Sequence, residues 1–403
     1  MTKAGKNILR DTFIVELDNI LNYWTRYTVD ELGGGFYGEV TNDNQPVPKA
    51  LKGSVLNARI LWSFSAAYNL EKRPSYLHTA QRALAYIKQH FIDEHMGGVY
   101  WSVTATGQPA DTKKQIYALA FTIYGLSAYY LAVPDESVLV LAQSLYRQIE
   151  QHSFDTQKGG YLEAFTRDWQ MIDDLRLSDK DANEKKTMNT HLHVLEAYTA
   201  LYRIWPDANL GEQIRNLIGY FERYMVDAGT HHLVLFLDED WAVKSNTVSY
   251  GHDIEASWLL LEAAEVLHDE VLINRVKALA VNIARASAEG LNSDGSMNYE
   301  YEPLHQKIIA ERHWWAQAEA VVGYYNAFQI SGEQHFMDKA IATWGYTRRH
   351  IIDNEKGEWF WGINNDGSLM EGYGKAGFWK CPYHNSRACI EMINRLSMAH
   401  EQG

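Results

Sequence analysis

The stretch SYGHDIEASW sets His252, Glu255 and Trp258 three residues apart at the start of a helix-like segment. This spacing lines an imidazole, a carboxylate and an indole along one helix face. Half a metal site, an acid–base pair and a merely polar helix start all fit it. Comparable groups open five other segments. Arg59 lies in LKGSVLNARILW, Tyr117 in TKKQIYALAF, and Asn189, His191 and His193 in MNTHLHVLEAY. Trp314, Trp315, Gln317 and Glu319 lie in RHWWAQAEAVVG, and His384, Asn385 and Arg387 in FWKCPYHNSRACIEM.

Each chemistry makes its own demands. Glycoside hydrolysis needs two carboxyl groups flanking the scissile bond, for which Glu255 and Glu319 are candidates. Histidines outnumber carboxylates at these segment starts, and histidine gives or takes a proton near neutral pH. Two histidines on opposite faces of a substrate suit removal and return of a carbon-bound proton beside a carbonyl. A metal would need a second ligand pair facing His252 and Glu255, which His193, His384 and Glu319 could supply. There is, however, no His-Glu-x-x-His, no Asp-rich loop and no cysteine set. Structural readings stand beside these. Single buried histidines are usually structural, Arg59 could pair with Glu196, and Glu319 could merely orient a neighbour. Trp314 and Trp315 are adjacent, so one of them belongs to the core.

These groups must be positioned by something regular, and the chain supplies a repeat. Turns rich in glycine and aromatics recur: ELGGGFYGEV from Glu31, EHMGGVYWSV from Glu94 and TQKGGYLEAF from Thr156. Looser copies start at Ala228, Ala288 and Glu355. The interval is roughly 60–70 residues, longer than the usual solenoid repeat. Each turn predicts a short hairpin. Between turns, apolar spacing of three and four predicts helices in pairs: 51–70 with 74–93, 112–132 with 135–152, and 186–205 with 208–225. The series continues with 251–267 and 270–289, then 311–330 and 333–352. Helices at 11–30 and 382–400 open and close it. Six pairs joined by short links close into a ring: an all-α (α/α)6 barrel with short β-hairpins at one end, expected as one domain over 1–403. The segments bearing Arg59, Tyr117, Asn189, His252, Trp315 and His384 then line the inside. Their N-terminal halves meet in one polar, aromatic-walled pocket, where helix N-termini favour negative charge.

Bulk properties narrow the partners. Thirty-seven basic residues against 51 acidic ones give a net charge of −14, which argues against nucleic acid or an anionic membrane. Aromatics reach 13%, with 13 Trp and 25 Tyr, and flat aromatic faces suit sugar rings. The two cysteines, Cys381 and Cys389, would stand about 12 Å apart on one helix, too far for a disulfide. The N-terminal run carries charges among its apolar residues, unlike a signal peptide or a membrane span. A cytoplasmic location is therefore expected.

The segments LNARILW, NTHLHVLEAY, GHDIEASWLLLEAA, HWWAQAEAVVG and FWKCPYHNSRACIEM resemble the cellobiose 2-epimerase branch of the N-acylglucosamine 2-epimerase superfamily. The resemblance runs from the first helix to the last. It implies an (α/α)6 barrel and reversible C2 epimerisation of the reducing-end sugar of β-1,4 disaccharides. Ring opening and a cis-enediolate would carry the reaction, with no metal and no other cofactor. His252 and His384 would be the acid–base pair, with His384 or its partner also opening the ring. Glu255 would hold His252, and Arg59 would stabilise the oxyanion. His193 and Asn189 would contact the reducing-end sugar, with Trp315 on its face and Glu319 four residues beyond. Trp258 and Trp379 would wall the pocket, Tyr117 would contact substrate, and Trp359 or Trp361 would hold the second sugar. Cellobiose, lactose and mannobiose all fit as substrates. The expected partner is such a disaccharide, with no nucleic acid and no membrane, and the protein a monomer or weak dimer. The alternatives are aldose–ketose isomerisation, epimerisation of N-acylated monosaccharides, hydrolysis by Glu255 and Glu319, and sugar binding without catalysis.

Overall fold

A computed structural model describes residues 2–398 and contains twelve α-helices among them. Six are nearly all buried: α2 (Ser54–Leu70), α4 (Ile116–Ala132), α6 (Met188–Ile204), α8 (Tyr250–Glu265), α10 (Trp314–Ser331) and α12 (Tyr383–Met398). Their sequences lack a polar stripe because both sides are packed. In α4, IYALAFTIYGLSAYYLA, every residue from Ile116 to Tyr129 is buried. The other six are α1 (Lys3–Tyr27), α3 (Pro74–Tyr86), α5 (Glu136–His152), α7 (Ala208–Tyr220), α9 (Glu270–Ser287) and α11 (Gln334–Tyr346). They bury one face only, as Val138, Leu139, Ala142, Leu145, Tyr146 and Ile149 show in α5.

The buried helices pack in a closed circuit, α2 on α4, α6, α8, α10, α12 and back to α2. Each outer helix lies against its own inner neighbour, α1 taking α12. This is the expected (α/α)6 barrel. Two glycines allow the close approach. A Cβ on Gly125 of α4 would stand 2.7 Å from the Ala58 carbonyl oxygen of α2, and one on Gly323 of α10 would meet the Ile254 backbone of α8 equally closely.

Inner-to-outer links are short, and Asp135, Asp207 and Asp269 cap the outer helices that follow them. Outer-to-inner links are long and all return to one end, so every inner helix begins there. Each long link starts with a bridged hairpin, seen as Val29 with Phe36, Ile92 with Val99, Phe154 with Tyr161, Val226 with Leu233, Leu291 with Met297 and Ile352 with Trp359. The two residues preceding an inner helix then pair with the following hairpin. Lys52–Gly53 pairs with Ser102–Val103, Lys114–Gln115 with Ala164–Phe165, and Lys186–Thr187 with Phe236–Leu237. Val40 with Ala376 closes this second ring.

Helix boundaries differ from the expected ones in a consistent way. The segments 74–93, 208–225 and 333–352 end in a wider π-turn at Ile87–Phe91, Phe221–Met225 and Thr347–Ile351. Residues 399–400, expected in the closing helix, lie outside the described residues. Cys381 precedes α12, Cys389 lies within it, and both are buried free thiols.

Candidate active site

At the end where the inner helices start, a cavity of about 390 Å³ opens between them. Arg59, Tyr117, Asn189, His193, His252, Glu255, Trp315, Trp361, Trp379 and His384 all line it. Ten of the expected site residues thus converge from α2, α4, α6, α8, α10, α12 and the loops before them. Trp258 and Glu319 do not reach it.

The histidines are set differently. His384 is 5% exposed, and its Nδ1 lies 2.6 Å from Glu319 Oε1. With Nδ1–H donating to that carboxylate, the Nε2 lone pair is left as the base. His193 is held in the same way, Nδ1 standing 2.9 Å from Glu196 Oε2. His252 is half-buried, and its Nδ1 meets Ser249 Oγ at 2.8 Å. The Trp315 ring leans on both candidate bases, with centroids 4.7 Å from His252 and 5.7 Å from His384. Burial pushes the pKa of His252 down to about 3 and that of His384 well below the usual histidine value. The positive Arg59 and Arg387 push His384 further in the same direction. Burial thus favours the neutral form of both rings.

Among the described residues, Arg59 is a buried cation of the pocket without an ion-pair partner. It is 3% exposed, and Nη2 donates to Tyr117 Oη at 2.7 Å. Nη1 reaches the Cys381 sulfur at 3.8 Å, and Nε has no partner. The guanidinium lies over Phe121 at 4.1 Å and Tyr383 at 4.8 Å, with no carboxylate of the described residues in an ion pair. The structural alternative, pairing with Glu196, therefore does not occur. Glu196 instead accepts from Arg387. A buried cation without a counter-ion stabilises an anion that forms beside it. Asn189 Oδ1 and Trp361 Nε1 are likewise shielded and without a protein partner.

Arg387, which the sequence offered without a role, organises the closed end. Its Nη2 donates to Glu255 Oε1 and Glu319 Oε1, each at 2.6 Å, and its Nη1 donates to Glu196. Three buried carboxyl groups thus face one guanidinium. Burial raises the pKa of Glu255 well above its usual value, with the charge of Glu319 adding to the rise and Arg387 opposing it. Burial also raises Glu196, yet Arg387 and His193 outweigh it and hold that group ionised, at about 2.

Three expectations are corrected. Glu255 does not hold His252. It turns to Arg387, because that charge outbids a neutral imidazole, and its nearest histidine is His384, at 3.8 Å. Trp258 is not a wall. It lies beneath Arg387 with Nε1 donating to Glu319 at 3.0 Å. Glu319 touches His384 rather than the cavity, the orienting arrangement weighed above. Of the pair Trp359 and Trp361, Trp359 is core, fully buried with Nε1 on Glu16, while Trp361 lines the cavity and stacks on Tyr373. His191 is structural, bonded through both nitrogens to Thr187 O and Tyr161 N. Asn385 bonds Glu358. Trp314 is almost wholly buried, and Trp315 meets the histidines.

Other lining residues were not anticipated. Tyr299, His313, Tyr373 and the segment Leu177–Asp181 complete the rim. The one sequence signal for that segment is the length of the polar, aperiodic link before α6. A signal for Arg387 was also present: three inner-helix acids, Glu196, Glu255 and Glu319, need a cation among them.

Glu255, Glu319 and His384 have ligand atoms within 4.8 Å of one another, the one such group among the described residues. Arg387 Nη2 already sits against both carboxylates, supplying the charge and taking the place that a metal ion would need. Glu255 and Glu319 also share that one nitrogen rather than facing each other across the cavity, which does not fit the hydrolase arrangement.

Six parallel helix starts carrying histidines, an uncompensated arginine and tryptophans into one pocket define a carbohydrate-converting barrel enzyme. The profile of the N-acylglucosamine 2-epimerase (GlcNAc 2-epimerase) family matches residues 35–388, and the chain belongs to that family. It is 54% identical over 374 residues to a cellobiose 2-epimerase from Bacteroides fragilis, covering 93% of this chain and 95% of that one. A cellobiose 2-epimerase from Ruminococcus albus is 38% identical over 379 residues, covering 94% and 96%. The solved structure of cellobiose 2-epimerase from Bacillus thermoamylovorans matches with a TM-score of 0.92 at 38% identity, covering 96% of this chain and 100% of the other. The protein is an epimerase acting on carbohydrate. Among the described residues, no helix is long and apolar enough to cross a membrane.

Proposed function

We propose that this enzyme inverts C2 of the reducing-end sugar of β-1,4-linked disaccharides such as cellobiose, lactose or mannobiose. The observation that carries the reading is a pair of histidines on α8 and α12 facing the same cavity as a buried cation that has no ion-pair partner among the described residues. Similarity to proteins named cellobiose 2-epimerases supports the disaccharide.

The sugar ring opens to expose an aldehyde, which acidifies the C2–H bond. One histidine takes that proton through Nε2. The C–H electron pair forms the C1–C2 double bond, and the carbonyl pair moves onto O1, giving a cis-enediolate. Arg59 donates to the oxyanion in a site that water does not screen. The negative charge offsets the burial that keeps the histidines neutral, so an imidazolium forms as the anion forms. Rotation about C2–C3 presents the other face. The second histidine, which has taken a proton from solvent before the sugar binds, gives that proton to C2; the aldehyde reforms, the ring closes, and the first imidazolium returns its proton to solvent. Atoms and electrons balance without an oxidant or reductant.

Asn189, His193 and Tyr117 bind the reacting sugar, and Trp315 lies on its face. Trp379 and Trp361 flank the cavity, in position for the second sugar, and Trp361 Nε1 is a donor awaiting a hydroxyl. A disaccharide incubated with the enzyme in D2O should yield the C2 epimer carrying deuterium at C2, seen by NMR. A ketose as main product, released monosaccharide, or binding without exchange would each sink the reading in a different way.

A further inference from the structure

A second cavity, about 170 Å³, adjoins the first beneath residues 175–184. Glu163, Thr187, Asn189, Thr247, Tyr299 and His252 are among its lining residues, and exposed Lys180 lies on its rim. Asn189, His252 and Tyr299 line both cavities, whereas His384 lines only the first. The two histidines also differ in cover. His252 is half-buried, while His384 is 5% exposed and sits against Trp314, Trp315, Tyr383 and Glu319. The annex sets polar groups among Leu175, Met188 and Phe236, and a buried water needs only about 10–15 Å³ of space and two to four polar partners. Thr247, Glu300 and His252 among its lining residues carry polar groups that can serve. Water there would remain when a sugar fills the main cavity.

We infer that the annex is a solvent path to His252 alone, so that the hydrogen removed from C2 exchanges with water during turnover on one face of the sugar and not on the other. The inference rests on the two-histidine reading above. When His252 removes the proton, its imidazolium trades the gained N–H for a solvent hydron before collapse. Return of that hydron to the same carbon labels the unconverted substrate. When His384 removes it, the sugar and the tryptophans shut out water, and the proton returns unchanged.

The test is to follow both directions separately in D2O at low conversion, starting from cellobiose and from its mannose-ended epimer. Deuterium at C2 of the recovered starting sugar is read by mass spectrometry. The expected result is several-fold more label in the recovered sugar from one direction than from the other, with fully labelled product in both. Equal labelling, or none in either recovered sugar, overturns the inference while labelled product upholds the epimerase reading. No epimer at all sinks both. Thr247→Leu fills the annex from a half-buried position outside the main cavity. It should lower the label in the exchanging direction several-fold while epimer formation continues. Unchanged label in that variant rules out the annex as the route.

Discussion

At the scale of single residues, the proposed catalytic group is His252 on Ser249, His384 on Glu319, and Arg59, whose guanidinium has no ion-pair partner among the described residues. Replacing either His252 or His384 by Ala should lower kcat by about 10²–10⁴-fold, the usual contribution of a proton-transfer group. Arg59→Gln removes the oxyanion donor and should cost about 10²–10³-fold in kcat, with a smaller effect on KM. Glu319→Gln is the sharper probe. The amide keeps the shape, yet it can offer His384 Nδ1 its NH2 group and so favour the wrong tautomer. A drop in kcat within the general acid–base range is expected, larger than the accompanying loss of stability at Arg387 explains, with kcat and melting temperature measured on the same preparation. Nitrogen NMR of His384 checks the tautomer directly. The pH profile follows from burial. The basic form of each histidine persists down to its depressed pKa, about 3 for His252. The acid limb of kcat/KM should therefore lie below the ordinary histidine value of about 6.5. A limb at or above that value would contradict the assignment of neutral, buried bases.

At the scale of elements, the helix starts are held by buried ion pairs that repeat around the ring. Lys52 meets Asp30 at 2.7 Å, Lys114 meets Asp93 at 2.9 Å, and Lys186 meets Asp155 at 3.0 Å. In each, the lysine stands two residues before an inner helix and the aspartate caps the hairpin turn behind it. Asp93 also accepts from Arg167 and from the backbone N–H groups of His95 and Met96. Burial alone would raise its carboxyl, but these partners hold it well below the usual range. The sign follows: its stabilising effect is full above the unfolded value of about 3.9 and is lost as pH falls through the lower folded value. Asp93→Ala leaves Lys114 buried without a counter-ion and should cost about 3–5 kcal/mol, read by denaturant unfolding. Nothing local in the sequence marks Asp30, Asp93 and Asp155 as ion-pair partners, because the lysine each one meets lies about twenty to thirty positions further on.

At the scale of the whole molecule, the ring must be closed by groups from opposite ends of the chain. Trp24 Nε1 donates to Glu358 at 2.8 Å and Trp359 Nε1 to Glu16 at 2.6 Å, tying α1 to the last hairpin. Glu358 also accepts from Lys380 at 2.6 Å and Asn385 at 2.7 Å, and Lys380 lies 4.3 Å from the Trp314 ring. Closure and site therefore share one carboxylate. Glu358→Ala strands Lys380 and should destabilise by about 3–5 kcal/mol. Activity should fall below what the lost stability explains, since α12 carries His384. Melting and kcat measured on the same preparation separate the two effects. Full activity in a destabilised variant would show that the seam acts on folding only.

The sequence by itself determined the periodicity, and with it the twelve helices, their pairing, and the end at which Arg59, Asn189, His252, Trp315 and His384 assemble. Spacing of three and four is a local property, and short links leave neighbours little choice but to run antiparallel. It could not determine which carboxylate serves which histidine. Glu255 lies one turn from His252 yet bonds Arg387, 132 residues away, because the stronger charge wins inside a low-dielectric core. Trp258 faces inward by sequence and is roofed over by that same arginine. Only the closed ring decided these partnerships, since it alone brings Glu196, Glu255, Glu319 and Arg387 within hydrogen-bond reach.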